Sequence, residues 1–191
     1  MGGASAGRLI RHDAGVQQPA RSLVLGLPDP ALVVLIGAAG TGKSTLAARL
    51  FAPDAILSSD AYRALITGDA GDQRVTRTAF SILHRQLERR LAAGLTTVVD
   101  ATNVTAFARR GLLRRAAAHG VPAVAIVLDL DPRVVLTQNA NRPGRVVPTE
   151  AVHRQLAELR ASLDRPGGLG AEGFTAVHVL RSPAELDAVE R

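Results

Sequence analysis

The chain has 191 residues, 47% hydrophobic and 21% charged, a size and balance that suit one soluble α/β domain with a proper core and leave little room for two. It has no cysteine, which excludes disulfides, thiolate nucleophiles and cysteine-held metals, and no apolar run near the ~20 residues of a membrane span, so a cytoplasmic location with no membrane partner is expected. Its 23 Lys and Arg against 17 Asp and Glu give +6, which suits a polyanionic partner such as nucleic acid or a nucleotide, while 3% aromatic content leaves few rings for stacking bases.

Residues 1–30 read as a flexible N-terminal arm. The first 22 mix Gly, Ala, Arg and Gln without periodicity, and Leu23 to Leu27 pack only locally before Pro28-Asp29-Pro30 turns the chain. The domain, 31–191, opens on the apolar run Leu32 to Ile36, a strand. Gly37-Ala38-Ala39-Gly40-Thr41-Gly42-Lys43-Ser44 follows at once, and Thr45 to Leu50 reads as a helix. Strand, glycine loop and helix are the context in which G-x-x-x-x-G-K-[ST] binds phosphate. The small residues let successive backbone N–H groups turn inward on the phosphate oxygens, and the helix N-terminus adds its partial positive charge. Lys43 is expected to reach the β- and γ-phosphates of ATP, and the Ser44 hydroxyl to bind Mg²⁺. Lys43 is the sole lysine in the chain, consistent with a place where a slim ammonium fits and a guanidinium does not.

A second strand, about 55–58, delivers Asp60 to its carboxyl end, where open α/β sheets place reacting groups. The local alternative is that Asp60 caps the helix that continues through Ile66. Residues 67–75 are polar and glycine-rich, a loop on the same rim. A helix over 76–93 carries Ala79, Ile82, Leu83, Leu87 and Leu91 at helical spacing and stops at Gly94. Thr96 to Val99 is the third strand and leads to Asp100 and Asn103. Asp100 suits a group that holds the Mg²⁺ shell or orients an arginine, with a capping or turn role as the alternative. The helix over about 105–119 bears Arg109, Arg110, Arg114 and Arg115, which either track a phosphate backbone or form a wet helix face.

The fourth strand, 124–128, is apolar throughout, as befits burial on both faces. Asp131-Pro132 starts the next helix, and the segment about 138–150 reads as a lid. Its Arg142 and Arg145, three apart in a Pro/Gly-punctuated loop, are placed to close over ATP and offset charge on the transferring phosphoryl group. A helix to about 163, a fifth strand over 174–179 and a closing helix over 183–191 complete the chain.

Taken together, GAAGTGKST, SSDAYR, VVDATN and NRPGRVVP resemble, in order and spacing, the 5′-kinase domain of bacterial polynucleotide kinase-phosphatases, the RNA repair enzymes. The similarity runs from about 31 to 189. It implies an α/β fold of the P-loop NTPase/phosphotransferase type, with a central five-stranded parallel sheet flanked by helices and a helical lid. It implies an ATP- and Mg²⁺-dependent kinase acting on the 5′-hydroxyl end of RNA or DNA. By resemblance Asp60 is the general base and Arg63 holds a phosphate of the acceptor strand, three residues on and on the same helix face. Arg142 matches a lid arginine on the β- or γ-phosphate, and Asp100 and Asn103 match the motif at the end of the third strand, on the acceptor side. Thr45 completes the ATP-binding set. Gln138 stands where the family often has a second lid arginine, and the phosphatase or ligase modules of the repair enzymes have no counterpart here. Two other readings remain: a small-molecule kinase acting on a sugar, nucleoside or antibiotic hydroxyl, and a nucleotide-gated binding module without catalysis.

Overall fold

The computed structural model describes residues 23–143 and 145–190; the arm expected over 1–22 lies outside the described residues. The strands are β1 (Leu23–Val24), β2 (Leu32–Ile36), β3 (Ile56–Ser58), β4 (Thr97–Asp100), β5 (Ala123–Leu128), β6 (Ala176–Leu180) and β7 (Val189–Glu190). The helices are α1 (Lys43–Leu50), α2 (Ser59–Thr67), α3 (Thr76–Ala92), α4 (Ala106–Ala118), α5 (Pro132–Ala140), α6 (Thr149–Leu163) and α7 (Pro183–Ala188). Five strands form one parallel sheet in the order β3-β4-β2-β5-β6, the expected architecture.

β2 lies at the centre and all five of its residues are buried. Its side chains alternate between two cores, as the pleat requires. Leu32, Val34 and Ile36 join Leu83, Leu87 and Leu91 of α3, Leu112 and Ala116 of α4 and Leu159 of α6. Val33 and Leu35 point the other way, onto Leu46 and Ala47 of α1, Phe51, Leu25 and Val189. Each fully buried Leu contributes ~1.5–3 kcal/mol of transfer free energy, which offsets part of the conformational entropy lost in ordering α3.

The described part of the expected arm is not loose. β1 pairs in parallel with β7, Leu25 N–H donates to Glu190 O at 3.1 Å, and Leu25 is buried in the second core. The domain therefore begins ahead of residue 31, and the closing helix stops at Ala188 to release Val189–Glu190 as β1's partner. A two-residue strand has too short a pattern to announce itself in sequence.

A third cluster braces the rim. Ala38 and Ala39 pack against Leu130, Val135, Val147 and Val152. Buried Asn139 binds Val147 twice, Nδ2 donating to its carbonyl at 2.8 Å and Oδ1 accepting from its N–H at 3.1 Å. The lid loop is thus clamped at its far end, while Arg142, Arg145 and Val146 extend from it over the sheet's carboxyl edge. Among the described residues no helix is long and apolar enough to cross a membrane.

Candidate active site

The loop after β2 is shaped by glycines at positive φ: Gly40 at 90° and Gly42, the N-cap of α1, at 89°. A Cβ on Gly40 would lie 2.7 Å from Val135 O, so only glycine lets α5 approach the loop. Gly37, Ala38 and Thr41 form the loop's buried base: Gly37 N–H donates to Thr102 O at 3.0 Å, and Thr41 Oγ1 donates to Ala38 O at 2.9 Å. Ala39, Gly40, Gly42, Lys43, Ser44 and Thr45 face a cavity of about 1210 Å³.

Lys43 is buried, its Nζ donating to Ala38 O at 2.7 Å. Burial pulls its pKa down from 10.5 to about 8, with Asp100 and Asp60 working against the shift and Arg142 adding to it. Ser44 Oγ donates to Asp100 Oδ2 at 2.7 Å. Asp100, placed by resemblance on the acceptor side, instead meets the glycine loop at Ser44, because β4 is β2's neighbour and ends beside α1's first turn. A hydroxyl and a carboxylate are hard oxygen donors that fit Mg²⁺, which takes one or two protein oxygens and its remaining ligands from phosphates and water.

Asp60 is not a helix cap. Ser58 caps α2, its side chain accepting from Ala61 N at 3.4 Å, which leaves the Asp60 carboxylate to face the cavity. Thr105 likewise caps α4, so Asp100 has no capping duty either. Both oxygens of Asp60 are occupied: Arg63 Nη2 donates to Oδ1, Arg145 Nη1 donates to Oδ2, and Arg142 Nη2 lies 3.6 Å from Oδ2.

Arg63 lines the cavity but is 5% exposed, with Nε donating to Ala70 O at 2.8 Å. Burial lowers its pKa, Asp60 opposing and Arg145 reinforcing the shift. The structure therefore makes it first a brace for Asp60. Asn103 departs from expectation more sharply. It sits at φ 48°, is buried, and its Nδ2 donates to Leu35 O at 2.9 Å; with no place in the cavity wall, it secures β2 rather than an acceptor.

Two residues in this region were not marked by sequence. Gln155 of α6 accepts from Ala39 N–H at 2.8 Å, tying the lid's helix to the glycine loop. Arg154 beside it also lines the cavity. Neither stands in a motif, and a single polar side chain on an amphipathic helix gives no signal of what it meets.

A family model described as "AAA domain" matches residues 32–166, which include the glycine loop, both carboxylates and the lid. The chain belongs to this AAA-domain family. No curated protein sequence matches the chain. Among solved structures, a chain of the Pnkp1/Rnl/Hen1 RNA repair complex is similar at 20% identity and a TM-score of 0.60, covering 69% of this chain and 44% of that one. A sugar kinase from Janibacter sp. is similar at 20% identity and 0.55, covering 82% and 88%, and a gluconokinase from Sinorhizobium meliloti at 18% and 0.50, covering 85% and 91%. The chain thus spans less than half of the RNA repair chain and most of each sugar kinase. What this AAA-domain protein shares with these neighbours is the P-loop kinase fold, and its reaction and acceptor have to be argued from the cavity.

Proposed function

We propose that the protein transfers the γ-phosphoryl group of ATP to the 5′-hydroxyl end of an RNA or DNA strand. The observation that carries this reading is the charge of the cavity wall: Lys43, Arg63, Arg142, Arg145 and Arg154 against two carboxylates, Asp60 and Asp100. Arg63 already has Asp60 as its anion, but a neutral sugar would leave Arg154 facing none, whereas a strand end brings a phosphate beside its terminal hydroxyl.

In this reading ATP lies on the glycine loop, and Lys43 Nζ leaves Ala38 O for the β- and γ-phosphates. Arg142 and Arg145 move from Asp60 to the phosphates, which uncovers a carboxylate oxygen. Asp60 then takes the proton of the acceptor hydroxyl as its oxygen bonds to the γ-phosphorus; the bond from that phosphorus to the β,γ-bridging oxygen breaks, and ADP leaves. Ser44 and Asp100 would hold Mg²⁺, which when bound neutralises charge between the β- and γ-phosphates. A 5′-phosphate is what a broken strand needs before ligation, so a role in RNA repair fits the product.

Labelled ATP offered with 5′-OH RNA, 5′-OH DNA, nucleosides, sugars and aminoglycosides tests the reading. Transfer to oligonucleotides is expected; transfer to sugars with none to strands overturns it. A small-molecule alcohol is the second reading, favoured by the near-complete overlap with the two sugar kinases. Arg154→Ala separates the two, because under the first it raises KM more for an oligonucleotide with a phosphate beside its end than for a nucleoside.

A further inference from the structure

The four arginines of α4 are not equivalent once folded. Arg109 is fully buried and bound to Glu172, and Arg115 pairs with Glu88 at 3.0 Å. Arg110 and Arg114 are exposed and, among the described residues, have no acidic partner. Phe107 is 85% exposed, belongs to none of the buried clusters, and lies three and seven positions ahead of them. That spacing puts the ring and both guanidinium groups on one face of the helix, spread over about 10 Å along its axis.

Arg110 also borders a second hollow, of about 350 Å³, faced on its other side by exposed Arg165. The acidic side chain in that hollow, Glu172, has both oxygens taken by Arg109 at 2.7 and 2.6 Å, so it offers little repulsion to an incoming anion. The stripe starts near the catalytic rim. Ala101 and Thr102 line the large cavity, and Thr105, three residues on, caps the first turn of α4.

We propose that Phe107, Arg110, Arg114 and Arg165 form a second subsite, which takes an inner nucleotide of a single-stranded acceptor whose 5′ end lies in the large cavity. A base stacks on the Phe107 ring, one phosphate enters the hollow between Arg110 and Arg165, and Arg114 meets the next. The occupant is a single strand, because a lone exposed ring offers a face to an unpaired base and nothing to a duplex. This inference rests on the reading of the protein as a polynucleotide kinase.

The test is KM for 5′-OH oligonucleotides from two to twelve nucleotides, with wild type, Phe107→Ala, Phe107→Tyr and Arg110→Gln/Arg165→Gln. All four side chains are exposed, so each variant should keep the wild-type melting temperature and KM for ATP. For the wild type KM should fall as the strand lengthens and then level off. Phe107→Ala should raise KM for the long strands about fivefold and leave the dinucleotide unchanged, with Phe107→Tyr restoring the wild-type value. The double arginine variant should flatten the slope of log affinity against log salt by about 0.7, one phosphate contact's worth. Unchanged KM on long strands that the wild type phosphorylates overturns the subsite and leaves the kinase reading intact. Equal losses on the dinucleotide also overturn it, since the residues would then act through the active site. If no strand of any length is phosphorylated, both readings fall.

Discussion

Nucleotide affinity should depend on pH through Lys43. In the free protein its ammonium loses its proton near pH 8, because burial outweighs the pull of Asp100 and Asp60. Bound β- and γ-phosphates add anionic charge within reach and hold the proton on well above that value. Between pH 7 and 9 the fraction of free protein carrying a charged Lys43 falls from about nine-tenths to about one-tenth, so ATP should bind about tenfold more weakly at pH 9, or ~1.4 kcal/mol. Calorimetry in buffers of different ionisation enthalpy should find about half a proton taken up per nucleotide at pH 8. Lys43→Met should bind weakly and without this slope. A wild-type affinity that stays flat from pH 7 to 9, with no proton uptake, would refute the reasoning by showing that Lys43 stays charged in the empty loop. The same shift has a consequence for folding: between pH 8 and 10.5 the unfolded chain holds the lysine proton and the folded one does not, so this residue makes stability rise with pH across that window.

Asp60→Asn should keep nucleotide binding and lower kcat by about 10²–10⁴, measured by transfer from labelled ATP, and normal turnover would remove Asp60 as the base. Gly40→Ala should cost ~1–3 kcal/mol in chemical denaturation and weaken ATP binding, since the new methyl group meets Val135 O at 2.7 Å in a left-handed backbone. Arg109→Met should cost ~3–5 kcal/mol, or ~6–20 °C in melting temperature, because it strands Glu172 and the carbonyls of Asn103 and Val104. Arg109→Met/Glu172→Leu should recover part of that loss, and a single variant that melts like the wild type would mean that water reaches those groups.

The parts legible in sequence are those whose cause is local. The unbroken apolar run at 124–128 states a strand buried on both faces, which the structure extends by one residue to Ala123, the run at 32–36 states a strand, and the glycine loop between β2 and α1 joins strand to helix as its motif requires. Asp60 and Asp100 could be placed on the rim because each follows a strand, although sequence alone could not free them from capping; Ser58 and Thr105 did that. What stayed hidden is decided across long separations. Arg145 and Asp60 are 85 residues apart, and Arg109 looks no different from Arg110 until α6 and Glu172 close around it. Asn103 carries the right residue type in the right loop, yet its amide turns inward, because Leu35 O at the end of the central strand needs a donor.

The joining of β1 to β7 makes the first and last described strands a shared structural joint. Trimming Val189 and Glu190 should uncover Leu25 and loosen the floor beneath α1, far in sequence from the cut.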